Sequence, residues 1–422
     1  MGPVALGASI ICQTVGAGIF VVPATLALNA GAYAPLAILG CGLAMGLVSI
    51  CFAEGGTRVP TSGGAYGYIE AAFGPLAGYV AGTLLWVGNV LASGGVAAAL
   101  GDVIASLVPA PFAAPMRAAT ILTVVGGIAV VNSCGVTRGA GLIKATTVVK
   151  LLPLVIFLAV GAWALHAGNF AGATLPGTQG VGRALILGLF AYTGLEVALS
   201  ASGEVAEPNR TIPRALAVAM LAIIALYVAI QVVAQGLLGA SLGQSSAPLA
   251  DAMGRISPLL RALMLGGAAF SMFGMLTSDL LGSPRQLFAF GRDGLLPRIF
   301  GRLHPASHAP HVAILTYAAI AAALALTGSF AELAVLAALT AAPVYAGGSA
   351  AAWLLARRGV ALAGTPLEFP FLGAAASLAI GSMAVVIALG AREEILGLAA
   401  LCALSVLVYL VQAHAIPARP RA

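Results

Sequence analysis

A pair of glycines, a further glycine beside an acid, and a lysine stand where apolar helices do not need them. "TVGAGIF" at 14–20 puts Gly16 and Gly18 inside the first long apolar run, and "LFAYTGLEVALS" at 189–200 puts Gly194 two residues before Glu196 in another. Each glycine costs a helix interior roughly 1 kcal/mol relative to alanine. "TVVKLLPLVIFLAVGAWAL" at 147–165 carries Lys150 within a third run. A helix broken inside a bilayer frees N–H and C=O groups that must find other partners. A zwitterion supplies both: its carboxylate accepts from N–H groups at the positive start of a half-helix, and its ammonium donates to carbonyls at a half-helix end. Close packing between helices is the competing account of Gly16 and Gly18.

Other chemistries fit less well. A dinucleotide turn needs a third glycine three positions after Gly18, where Val21 stands, and a following acid about 20 residues on. The five cysteines form no CxxC pair and read as small buried hydrophobes. "HPASHAPH" at 304–311 contains His304, His308 and His311 but no acid, and reads as a loop, so no metal or cofactor is expected.

The elements that must hold these residues emerge from composition. Of 422 residues, 61% are hydrophobic and 8% charged, against about 25% charged in soluble domains. So few charges cannot cover a water-facing surface, and the chain reads as an integral membrane protein. Apolar stretches predict twelve transmembrane helices at about 4–28, 33–53, 75–107, 118–134, 142–165, 183–202, 212–239, 259–282, 311–328, 331–356, 371–390 and 395–415. The first run lacks a basic leader and reads as a span, although "ALNA" at 27–30 resembles a cleavage site. Twelve spans put both termini on one side. That side carries Arg58, Arg138, Lys144, Arg210, Arg214, Arg285, Arg292, Arg298, Arg302, Arg357, Arg358, Arg419 and Arg421; the other carries Arg117, Arg183, Arg255, Arg261 and Arg392. The positive-inside rule makes the first side cytoplasmic. The net charge of +6 then reports topology and gives no reason to expect nucleic acid.

The first and sixth spans are the interrupted ones, five helices apart. A five-plus-five inverted repeat puts them in matching positions, which is the best sequence pointer to a transporter site. Four longer motifs are more specific. "QTVGAGIFVVPA" (13–24), "CFAEGGTRVPTSGGAYGYIEAAFGPLAGYVAGTLLW" (51–86), "FAYTGLEVALSASGEVAEPNRTIPRAL" (190–216) and "GSPRQLFAFGRDGLLPRIFGRLHP" (282–305) resemble, in order, segments of the amino acid–polyamine–organocation (APC) transporter superfamily. The resemblance covers essentially the whole chain. It implies an all-α, leucine-transporter-type fold of one domain over 1–422, with a first repeat at about 4–165, a second at about 183–356, and two further helices at 371–415.

The resemblance also implies a site. Backbone N–H groups of Ala17, Gly18 and Ile19 hold the substrate carboxylate. Carbonyls of Thr14, Phe190, Ala191 and Thr193 hold its amine, and Phe190 gates it. Asn89, Gly94 and Met275 line the side-chain pocket. A fifth-helix lysine such as Lys150 takes the place of Na⁺ in sodium-coupled relatives, near the Gly16 carbonyl. From position alone Lys150 either snorkels outward or faces the interior with a lowered proton affinity. Glu196 either braces the broken helices or carries a proton. Asp279 reads as a solvated or salt-bridged helix end beside Arg285, and Glu54 with Arg58 as a surface i, i+4 pair.

The expected function is proton-coupled uptake of a neutral amino acid by alternating access. A neutral substrate is expected because no acid but Glu196 is predicted near the pocket. Exchange of an amino acid for its product, and carriage of polyamines or cationic amino acids, stay open. A membrane enzyme is disfavoured, since no Ser/His or paired-aspartate set is predicted at membrane depth. A non-transporting sensor of the same fold is the remaining class. The expected setting is the cell's inner membrane, with protons and an amino acid as partners and the oligomeric state undetermined.

Overall fold

A computed structural model describes residues 3–59, 65–134, 150–170, 177–194, 208–305, 307–362 and 365–415. Among them every regular element is helical. The helices are α1 (Pro3–Thr14), α2 (Gly18–Ala30), α3 (Ala34–Arg58), α4 (Ala65–Phe73), α5 (Pro75–Ala105), α6 (Ala110–Ser133), α7 (Lys150–Ala164), α8 (Thr178–Ala191), α9 (Pro208–Leu238), α10 (Pro248–Gly254), α11 (Pro258–Gly282), α12 (Pro284–Arg292), α13 (His311–Thr327), α14 (Phe330–Arg357), α15 (Leu372–Ala388) and α16 (Arg392–Ala415). Seven helical segments are long and apolar enough to cross a membrane among the described residues, and Lys150–Ala164, His311–Thr327 and Leu372–Ala388 are shorter apolar helices. Each of the twelve expected ranges contains helix, and the 118–134 range extends back to Ala110.

Local chemistry sets several helix starts. Proline opens α5, α10, α11 and α12, where its missing N–H has no intrahelical acceptor to lose. Ser257 caps α11 by accepting from Leu259 N. Ser329 and Glu332 form a reciprocal capping box on α14. These devices fix where chain reversals occur between apolar runs.

The helices pack as two groups. One holds α1, α2, α3, α8 and α9; the other holds α5, α6, α11 and α13; α14 packs against both α5 and α3. Tyrosines hold the first group together. Tyr192 Oη donates to the Ile38 carbonyl at 3.1 Å, Tyr227 Oη donates to the Thr14 carbonyl at 2.8 Å, and the two rings lie 5.1 Å apart. Glycines allow close approach within the second group and between it and α14. A Cβ at Gly94 would lie 2.9 Å from Leu324 Cβ, and one at Gly88 would lie 2.7 Å from Thr340 Oγ1. Gly94 is therefore a packing position between α5 and α13, not the pocket liner expected.

The pair Glu54–Arg58 also differs from expectation. Its side chains are 2% and 6% exposed and lie 2.7 Å apart. Glu54 Oε2 accepts from Phe369 N at 3.1 Å, Arg58 donates to the Val360 carbonyl at 3.2 Å, and Leu367 N donates to Thr57 Oγ1 at 2.9 Å. The segment joining α14 to α15 thus covers the end of α3 and buries what spacing alone reads as a surface pair.

Candidate functional site between the helix breaks

The first interrupted helix is visible as such. α1 stops at Thr14, α2 starts at Gly18, and the chain between turns through Gly16 N donating to the Thr14 carbonyl at 2.8 Å. The first turn of α2 has no upstream helix to accept its N–H groups, so Ala17, Gly18 and Ile19 present donors at a positive helix end. Helix α8 stops at Ala191. Thr193 then has its N–H and hydroxyl both on the Phe190 carbonyl, at 3.1 and 2.7 Å. Gly194 has φ +111°, a conformation side chains disfavour. A Cβ there would meet the Gln13 carbonyl oxygen at 2.9 Å. The chain at Gly194, just past the end of α8, lies directly on the end of α1. The rest of the sixth span, Glu196 included, lies outside the described residues.

A cavity of about 460 Å³ opens between the two packing groups. Gln13, Thr193 and Gly194 line it from one side. Leu84, Gly88, Asn89, Met275, Ser278 and Asp279 line it from the other, and Ala337 and Ala341 of α14 close its back. Gln13 Nε2 donates to Ser278 Oγ at 3.4 Å, from one group to the other. Tyr66 of α4, Arg285 and Gln286 also line it, and of these Arg285 is exposed. Burial first, then the charges of Glu70 and Asp293, push the Tyr66 phenol up, so it stays a neutral donor.

The expected site residues fall into three sets. Asn89, Thr193 and Met275 line the cavity. Thr14, Ala17, Ile19, Phe190 and Ala191 are buried around the breaks; Phe190 Cε1 lies 3.5 Å from where a Gly18 Cβ would sit, and its ring meets Phe330 edge-on at 5.6 Å. Phe190 thus packs over Gly18. Two of the expected amine acceptors already hold protein donors. Thr14 O takes both Gly16 N and Tyr227 Oη, and Phe190 O takes both donors of Thr193. Lys150, at the described start of α7, is 6% exposed. Its side chain lies within the protein, which favours the interior reading over snorkelling.

Asp279 corrects the sequence reading. It stands in the cavity wall, accepting hydrogen bonds from Ser93 of α5, Tyr317 of α13 and, at 2.6 Å, Ser283. Asn89 Nδ2 donates to Ser283 Oγ at 3.1 Å and extends the network. Arg285 donates to the Leu281 carbonyl instead of pairing with it. Sequence could have flagged only that Asp279 stands one helical turn beyond Met275, on the same face.

Comparison with known proteins agrees with this architecture. The family model described as amino acid permease matches residues 2–410. An uncharacterized transporter of Mycobacterium tuberculosis (strain ATCC 25618 / H37Rv) is 30% identical over 324 residues, covering 69% of this chain and 66% of its own length. A second uncharacterized transporter of that strain is 32% identical over 324 residues, covering 74% and 70%. Vacuolar cationic amino acid transporter 4 of Arabidopsis thaliana is 26% identical over 342 residues, covering 76% of this chain and 57% of its own. The chain is thus similar to a part, about two thirds or less in the first and last cases, of longer transporters. The match over nearly the whole chain, with several helices long and apolar enough to cross a membrane, places it: the chain is a multi-pass membrane protein of the amino acid permease family, within the APC superfamily.

Proposed function

We propose that the protein is a secondary active amino acid transporter working by alternating access, with its substrate held between the two helix breaks. The observation that carries this is the cavity lying between the packing groups, with Gln13, Thr193 and Gly194 on one wall and Asn89, Met275 and Asp279 on the other. A rocking of one group against the other closes such a space on one side and opens it on the other. Tyr66, Arg285 and Gln286 also line the cavity, on segments the basic-residue bias assigns to the cytoplasm, so this is the inward-facing arrangement, with Phe190 and Phe330 packed together on the closed side. The first turn of α2 binds the carboxylate. The ammonium takes over the acceptors that Tyr227 and Thr193 use here. A twelve-span, five-plus-five inverted repeat with both termini inside the cell membrane accounts for the helix order and the paired breaks.

Proton coupling is assigned to Lys150, whose buried ammonium must be stabilised or discharged within the bundle. Glu196 is the second proton-linked candidate. The expected neutral substrate rested on a pocket with no acid but Glu196; Asp279 in the cavity wall removes that ground. Uptake of radiolabelled amino acids into proteoliposomes, with and without an imposed pH gradient, tests the reading. Wild type accumulates substrate under an inward proton gradient, and Lys150→Ala loses the gradient dependence while keeping its fold. Unchanged coupling in that variant removes lysine from the mechanism, and gradient-independent counterflow in wild type makes the protein an exchanger. Gly18→Val blocks binding by filling the space against Phe190; wild-type affinity there counts against the backbone site.

A further inference from the structure

On the basis of amino acid transport, we propose that Asp279 is a specificity-determining carboxylate, and that its ligand is the side-chain cation of a basic amino acid. Its position suits that ligand. The sulfur of Met275 lies 3.2 Å from where a Cβ at Gly16 would sit. Asp279 is one turn farther along α11, about 6 Å of helix rise, and lines the same cavity. That spacing from the helix break is the reach of a long basic side chain whose α-amino and carboxylate groups sit at the break.

The charge balance points the same way. The donors on Asp279 are three hydroxyls, those of Ser93, Tyr317 and Ser283. Hydroxyls supply dipoles and no countercharge. Asp279 is in none of the ion pairs formed among the described residues. A carboxylate offers about four acceptor positions, so one more donor can be taken. An acid at membrane depth without a cationic partner is costly unless a partner arrives from elsewhere. The cavity is the route by which a cation reaches it.

The carboxylate is also held firmly. Trp86 packs edge-on against Tyr317 at 6.1 Å, and Asn89 steers Ser283 at 3.1 Å. The donors come from α5, α13 and the end of α11, all in one packing group. The carboxylate is therefore presented as a fixed feature of one wall, with the helix breaks on the opposite wall. Arg285, the other charged cavity residue, is exposed and bonded to the Leu281 carbonyl, so among the described residues Asp279 has no countercharge.

The test uses the full chain in proteoliposomes with radiolabelled L-arginine, L-lysine and L-leucine, and monitors thermal unfolding of each variant in detergent. Wild type takes up arginine and lysine, and both compete with leucine. Asp279→Asn raises the arginine and lysine KM at least about tenfold, the scale of losing one desolvated charge pair, with leucine KM nearly unchanged. Asp279→Glu restores part of the arginine uptake. Leucine uptake untouched by excess arginine or lysine in wild type overturns this inference alone. So does equal loss of leucine and arginine in a folded Asp279→Asn, the result expected of a carboxylate that carries a proton or only braces helices. A wild type that moves no amino acid of either class overturns the transport reading and this inference with it.

Discussion

Glu54 and Asp279 are both acids on apolar helices, one buried and one half-buried in a cavity wall, and they are treated in opposite ways. Glu54 has Arg58 at 2.7 Å and the backbone of Phe369 as a further donor. Its charge is cancelled locally, and its bonds tie the α14–α15 segment to the end of α3. Asp279 has hydroxyl donors alone among the described residues, and one side of it is open space. An acid that the fold neutralises belongs to the architecture. An acid that the fold positions without a countercharge is held in readiness for something that enters. The type of partner separates the two roles.

The contrast predicts that the two acids fail differently. Arg58→Met leaves Glu54 buried without a countercharge and is expected to destabilise by about 3–5 kcal/mol. A lowered unfolding temperature in detergent reads this directly, and Glu54→Gln with Arg58→Met should recover part of the loss. A single variant as stable as wild type would erase the distinction. Gly194→Ala comes next. It forces a side chain into φ +111° and toward the Gln13 carbonyl, for about 1–3 kcal/mol together with loss of uptake. Normal uptake in that variant would mean that the chain at Gly194 need not lie on the end of α1.

Asp279→Asn should change stability by only about 1 kcal/mol, because the amide oxygen still accepts from hydroxyls. Its effect belongs in substrate choice, so a drop as large as that of Arg58→Met would make Asp279 structural. The smallest effect is expected of Gly18→Ala. Its Cβ would lie 3.5 Å from Phe190, ordinary contact, so stability should move by no more than about 0.5 kcal/mol and uptake should persist. A large loss there would show that the α2 start is tighter than its backbone indicates.

Much of the fold was legible because bilayer helices announce themselves one at a time. An apolar run near 20 residues, a flanking charge and a misplaced glycine are local facts. The break between Thr14 and Gly18 is written in Gly16 and Gly18, and the end of α8 near Gly194 is written in the same way. Glu54 and Arg58 show the limit. Their i, i+4 spacing gave the pair, but its burial depends on residues some 300 positions later. Gly94 shows it too, since only the neighbouring helix decides between lining a pocket and packing against Leu324.

By itself the sequence determined that this chain is helical, belongs in a membrane and interrupts its first helix, because these depend on composition and on residues close together along the chain. The tertiary structure decided which acid is spent on the fold and which faces the cavity. It also decided that Tyr227 and Thr193 occupy carbonyls expected to be open. Except for Thr193 on Phe190, three residues apart, those outcomes turn on groups far apart in sequence meeting within about 3 Å, the range over which a hydrogen bond or an ion pair replaces water, and no local pattern encodes that meeting.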